Sequence, residues 1–321
     1  MATGQNKAPS FFNFLKEGLL LPSRNRGLFT AVCALILAYT TLLVLGNNLA
    51  VQPLGDQIQL DIKALNTTET GSPDFAKLLQ EVKNDTKELL LVTAGYLLFS
   101  VVVGSAVRIV IYFAAVSTYS DEQRTPTFRA LLGQAKAQIK GPLLTLAFVY
   151  VLEIVSFVFV PMVMASILGI LMAVMGLQYF VVLSVASPLV LAAVVCLVYF
   201  SFLCSFSVVV AVAEPGCHGP AALGKAWRLA NGKKLQVLLY VAVTGALAAA
   251  VWPVRTLATT RAGNSVALEL LLSFVYAVLL ALVQLFNVCT MTVFYYERRE
   301  NSDSQLGSTG YAKLSTEEAN A

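Results

Sequence analysis

Long apolar runs separated by short basic connectors set the pattern of this 321-residue chain. Mostly apolar stretches cover Leu28–Leu45, Leu89–Thr118, Gln236–Ala258 and Val266–Tyr295, each close to or above the roughly 20 residues that carry a helix across a bilayer. Residues 142–213 form one further apolar block whose only charge is Glu153. Its length suits two long spans or three short ones. Basic residues near span ends mark the cytoplasmic side, and this rule chooses between them. The leader carries Lys7, Lys16, Arg24 and Arg26; connector 119–141 carries Arg124, Arg129, Lys136 and Lys140; connector 214–235 carries Lys225, Arg228, Lys233 and Lys234. Two spans in the block place all three on one side, whereas three would move the last connector across. The expectation is therefore an all-α polytopic membrane helix bundle of six spans, residues 28–296, with both termini cytoplasmic.

A shorter periodicity lies inside the basic segments. In 219–232 the sequence GPAALGKAWRLANG has Pro at a first helical position and Asn-Gly as a stop. Leu223, Ala226, Trp227 and Ala230 share its predicted apolar face. Thr125-Pro126 starts a second short helix, with Phe128, Leu131, Leu132, Ala135 and Ile139 apolar. The leader, 1–27, supplies a third through Phe11, Phe12, Leu15 and Leu19. Each precedes an odd-numbered span, so the chain reads as three units of an interfacial helix plus two spans. On this reading Lys225, Trp227, Arg228, Lys233 and Lys234 contact lipid, anionic on the cytoplasmic face.

Loop 46–88 is expected on the lumenal or extracellular side. It holds a candidate glycosylation acceptor at Asn66, in Asn66-Thr67-Thr68, and a second triplet at Asn84 close to the next span. After Ser72-Pro73, the spacing of Phe75, Leu78, Leu79 and Val82 predicts a helix running into the second span. The tail, 297–321, is polar and rich in Ser, Thr and Glu, hence expected to be disordered. Its Tyr311 and Leu314 fit a tyrosine-based sorting signal read by an adaptor protein.

Composition removes the soluble classes: the chain is 57% hydrophobic and 12% charged, against about 25% charged in soluble domains. None of the five cysteines falls in loop 46–88, so no disulfide framework is indicated and they read as small core residues. No Ser–His–acid set, zinc spacing or acid pair appears, and His218 is the sole histidine. No catalytic residue, cofactor or metal site is expected, nor a nucleic-acid partner.

Four polar residues inside the spans are the remaining candidates, since such groups are costly in hydrocarbon. Glu153 lies near mid-bilayer. It pairs with Arg108, stays protonated and hydrogen-bonded to a neighbouring helix, or serves a proton or solute relay. Gln284 and Asn287 place two amides on one face of the last span, suited to helix–helix bonding.

The stretch VVAVAEPGCHGPAALGKAWRLANGKKLQVLLY, ending at Tyr240, resembles the signature of a broad family of multispanning membrane proteins. The family is named after the membrane domain found beside some glycerophosphodiester phosphodiesterases. The likeness is greatest to its uncharacterised plant members and covers about 30 residues. It implies a six-span layout; those relatives have no established activity, and the soluble barrel that carries phosphodiesterase chemistry is absent, so its catalytic role does not carry over. The expected role is non-enzymatic: organising lipids or membrane-protein partners in the endomembrane system or plasma membrane. The alternative is a transporter or channel using Glu153.

Overall fold

The computed structural model describes residues 12–68, 72–120, 127–175, 179–261 and 266–318. Among these there are ten α-helices, one π-helical turn and no strand. The helices are α1 (Asn13–Arg24), α2 (Arg26–Gly46), α3 (Gln52–Thr67), α4 (Pro73–Ser120), α5 (Phe128–Gln138), α6 (Lys140–Met175), α7 (Tyr179–Ala213), α8 (Pro220–Asn231), α9 (Lys234–Arg261) and α10 (Val266–Glu318). Six segments are long and apolar enough to cross a membrane: Arg26–Thr67, Phe75–Ser120, Lys140–Ile170, Ser187–Ala213, Lys234–Leu257 and Leu270–Glu300. The protein is an all-α, multi-pass integral membrane protein. The ambiguous apolar block forms two long helices, α6 and α7. Pro161, Pro188 and Pro253 lie inside α6, α7 and α9 without ending them. In a span, neighbouring groups and local adjustments can satisfy the carbonyl that each proline frees.

The element order repeats three times as a short helix followed by two long ones: α1 with α2 and α4, α5 with α6 and α7, α8 with α9 and α10. The first repeat differs. Residues 46–67, expected as loop, continue α2 through the π turn Asn47–Val51 directly into α3. Gly46-Asn47-Asn48 reads as a helix stop, yet the next proline, Pro53, directly follows the π turn in the first turn of α3, where the wider turn accommodates its ring and missing N–H. The extra residue per π turn absorbs the mismatch and the helix goes on. The whole segment holds 42 residues, about 63 Å at 1.5 Å per residue, twice a hydrocarbon core. On the return, α4 starts at Pro73, with Ser72 Oγ accepting from the Phe75 N–H at 3.2 Å.

At the other end, α10 stays helical to Glu318, through the stretch assigned from sequence to a disordered tail. No proline follows Pro253, so nothing interrupts a helix already nucleated by the span. The Thr125-Pro126 start expected for α5, and Phe11 of the leader, lie outside the described residues.

The chain divides into two compact units. Unit 1 comprises Met1–Phe29, Ile109–Ala248 and Gln284–Ala321; unit 2 comprises Thr30–Arg108 and Ala249–Val283. Unit 1 is built round aromatic rings. Phe206 stacks on Phe202 at 5.6 Å and meets Phe294 at 5.5 Å, while Phe14 of α1 meets Phe294 edge-on at 5.8 Å. Phe14 is only 1% exposed. Helix α1 approaches α10 closely because Gly18 faces Thr290, where a Cβ would come 2.7 Å from the Thr290 Cα. Outward on α6, Val151, Ile154, Phe157 and Val158 are exposed, an apolar surface suited to lipid rather than water. In unit 2, α2 and α4 are tied by tyrosine hydroxyls that donate to carbonyls of the facing helix. Tyr39 Oη donates to Ser100 O at 2.9 Å and Tyr96 Oη to Leu43 O at 3.1 Å.

Candidate functional site

The basic connector 214–235 folds in unit 1 as a turn, helix α8 and a second turn, each clamped by side chains from elsewhere. Gly216 has φ +104° and Gly219 has φ +58° with ψ −125°, a conformation essentially restricted to glycine. The Gly219 N–H donates to Thr145 Oγ1 at 2.9 Å, and that hydroxyl donates to Gly141 O at 3.1 Å. The turn is thereby fastened to the start of α6, where Gly141 leaves room for the His218 ring. Gly219→Ala is expected to cost about 1–3 kcal/mol, read as a lowered unfolding temperature of the purified protein, with Gly133→Ala in α5 as control because no atom crowds that position.

Glu214 closes the same clamp. Its carboxylate accepts from Lys225 Nζ on α8 and from Tyr295 Oη on α10. Burial on its own would raise the Glu214 pKa. The hydrogen bonds from Lys225 and Tyr295, with the charges of Lys225 and Arg299, outweigh it and hold the carboxyl below its ordinary range. Arg298 Nε donates to Leu229 O at 3.1 Å near the end of α8, placing a cation where unpaired carbonyls and the helix dipole favour one. The acid, the glycines and the Gly-Pro step of the quoted motif thus have structural jobs.

Helix α8 buries Ala222, Ala226, Leu229 and Ala230. This corrects the expected face. Leu223 is half-buried and Trp227 is 51% exposed, its ring edge-on to Tyr199 at 6.1 Å. Helix α1 shows a similar offset, whereas α5 keeps most of its expected face. α1 buries Phe14, Gly18 and Leu21 while Phe12, Leu19 and Leu20 are exposed; α5 buries Leu131 and Ala135 while Leu132 is exposed. The inward faces combine small residues that permit close approach (Gly18, Ala135, Ala222, Ala226 and Ala230) with Phe14, Leu21, Leu131 and Leu229, while other large apolar side chains are left outside. Lys16, Arg24, Arg129, Lys136, Lys140, Arg228, Lys233 and Lys234 are all exposed. Lys225 is engaged by Glu214, its side chain 34% exposed against 18% for Glu214.

The polar groups within the spans fall in different surroundings. Glu153, half-buried on α6, accepts a hydrogen bond from Ser201 Oγ on α7 at 3.3 Å. Arg108 is half-buried in α4 between buried Val107 and Ile109. Gln284 and Asn287 are half-buried on α10, and Asn287 Oδ1 is buried with no hydrogen-bond partner among the described residues. Asn66 is exposed in the last turn of α3, where Thr68 Oγ1 donates to Ala64 O at 2.8 Å. Tyr311 and Leu314 stand on the helical backbone near the end of α10, and their side chains lie outside the described residues. Among the described residues no cluster of three His, Cys, Asp or Glu side chains could hold a metal.

Sequence reasoning missed a cavity in unit 2 of about 610 Å³, walled by α2, the π turn, α3, α4, α9 and α10. Arg255 and Asp56 both line it, with amides, hydroxyls and phenols between them. The signal was available in part. Arg255 is the one charged residue in the last apolar run before Arg261, and Asn47, Asn48, Gln52 and Gln59 are polar residues in what reads as loop.

The chain belongs to the family described as domain of unknown function (DUF8558), which matches residues 5–303. Comparison with curated proteins and with solved structures finds no match.

Proposed function

We propose that this protein is a non-enzymatic membrane protein that organises anionic lipid at the cytoplasmic face of the endomembrane system or plasma membrane. What supports the reading is the division of labour on the three short helices of unit 1. Small or apolar residues hold each helix to the protein, while bases and leftover apolar side chains stay exposed. A helix that contacts water alone gains nothing from an exposed Trp227, Leu132 or Leu19. At a lipid interface those side chains enter the acyl boundary and the bases meet anionic headgroups. The three segments are also the most basic in the chain, which supports a cytoplasmic location for them and for both termini. Exposed surface of the same kind would equally seat a membrane-protein partner. Transport through Glu153 draws no support from its surroundings, since Glu153 bonds Ser201 and does not line the unit 2 cavity.

The test is lipid selectivity of the reconstituted full-length protein, read with spin-labelled phosphatidylglycerol and phosphatidylcholine. At low salt the anionic label is expected to associate at least threefold more strongly. The preference should fall towards unity near 1 M salt, where the Debye length is about 3 Å. Equal association at low salt would exclude a lipid-charge role.

A further inference from the structure

The unit 2 cavity reaches about 610 Å³, within the range of small-molecule sites, and its walls combine three properties. The first is a charge of each sign. Arg255 and Asp56 line one space, and no hydrogen bond or ion pair joins the Asp56 side chain to another described residue. The second is unmet hydrogen-bonding capacity. The side chains of Gln52, Thr93, Ser273 and Tyr276 likewise line the cavity without a partner among the described residues. Two further hydroxyls of the wall, Thr40 and Tyr96, are satisfied by backbone carbonyls. Polar groups left over in a membrane protein are costly unless water or a ligand completes them. The third is an apolar portion formed by Leu43, Val44, Leu89 and Leu280.

Depth narrows the ligand further. Helix α2 begins at Arg26 and α9 at Lys234, and each reaches the cavity, at Asn47 and Arg255, after roughly the 20 residues that cross a hydrocarbon core. The cavity therefore stands at headgroup level. Trp252, 5.8 Å from the Arg255 guanidinium, suits that level. The irregular backbone there is a π turn, a feature that recurs at functional sites.

We propose that this cavity binds a phosphate ester carrying a tethered amine, as presented by the headgroup of a zwitterionic phospholipid or by its soluble glycerol ester. The Arg255 guanidinium takes the phosphate, for which its planar donor fork is suited. Asp56 takes the ammonium, the amides and hydroxyls take the ester and glycerol oxygens, and the apolar portion takes the start of the acyl chains. The site is separate from the basic surface of unit 1, so it stands or falls without it.

Delipidated full-length protein in detergent would be titrated with fluorescent phosphatidylethanolamine, phosphatidylglycerol and diacylglycerol, with soluble glycerophosphoethanolamine as competitor. Saturable binding of phosphatidylethanolamine, at least tenfold tighter than diacylglycerol, is the expected result. Competition by the soluble ester at equal concentration would assign the natural source to solution, and its failure to compete would assign it to the bilayer. Arg255→Gln should weaken binding at least tenfold. Asp56→Asn, an exposed position that leaves folding intact, should remove the preference over phosphatidylglycerol while sparing the phosphate. Tyr276→Phe should lower affinity severalfold. Diacylglycerol binding as tightly as the phospholipid, or unchanged affinity in Asp56→Asn and Tyr276→Phe, would overturn the proposal.

Discussion

Glu214→Ala is expected to destabilise the protein by about 2–3 kcal/mol, a fall in unfolding temperature on the order of 5 °C. Truncation strands two donors at once, Lys225 Nζ and Tyr295 Oη, and a partly buried donor left unmade costs more than the bond contributes. The figure sits below that for a fully buried pair because Lys225 is one-third exposed, and solvent screens it. Glu214→Gln keeps one acceptor for Tyr295 and should lose less. The pH dependence follows from the direction of the shift. Glu214 titrates lower in the folded protein than in the unfolded chain. Its stabilisation is therefore complete above the unfolded carboxylate pKa, about 4.3, and is lost as pH falls through the lower folded value. Wild type should lose this contribution only in acid, and Glu214→Gln should lack that part of the acid limb. Thermal melts of both proteins from pH 7 to pH 3 provide the comparison.

Replacing Arg129, Lys136, Lys140, Arg228, Lys233 and Lys234 together by Gln should abolish the preference for anionic lipid without unfolding the protein. All six are exposed, and none is the acid-paired Lys225. Each base near an anionic surface contributes about 1 kcal/mol. If only two bases engage one lipid at a time, their loss still weakens association more than tenfold. Trp227→Ala removes apolar contact instead. It should lower association of anionic and zwitterionic lipid alike, a different signature from the charge variant. A sixfold variant that keeps its selectivity would move the lipid-charge role away from α5 and α8.

The spans were readable because hydropathy sums over twenty residues and tolerates local error. The basic connectors were readable because four bases in a short segment outweigh one or two acids. Continuity through Gly46-Asn47-Asn48 was not, since a stop signal can be overridden by a π turn when the next proline falls in a first helical turn. The buried faces of α1 and α8 were misjudged for a related reason. A membrane helix has two apolar surroundings, protein and lipid, and hydrophobicity does not distinguish them. Small residues such as Gly18, Ala222 and Ala226 mark points of close approach to the protein. The Ser201 partner of Glu153 and the cavity round Arg255 and Asp56 depend on which helices meet. Residues far apart in the chain carry no local pattern that would reveal this.

The exposed tryptophan offers the most direct measurement of the interfacial reading. The chain has two tryptophans, Trp227 and Trp252, so Trp252→Phe leaves a single reporter on α8. The variant would be reconstituted with brominated phosphatidylglycerol or brominated phosphatidylcholine, and quenching of its emission compared at low and high salt. Blue-shifted emission, quenched more strongly by the anionic lipid at low salt and equally at high salt, is the predicted result. Red-shifted emission that neither brominated lipid quenches would contradict it and leave α8 as a helix facing water.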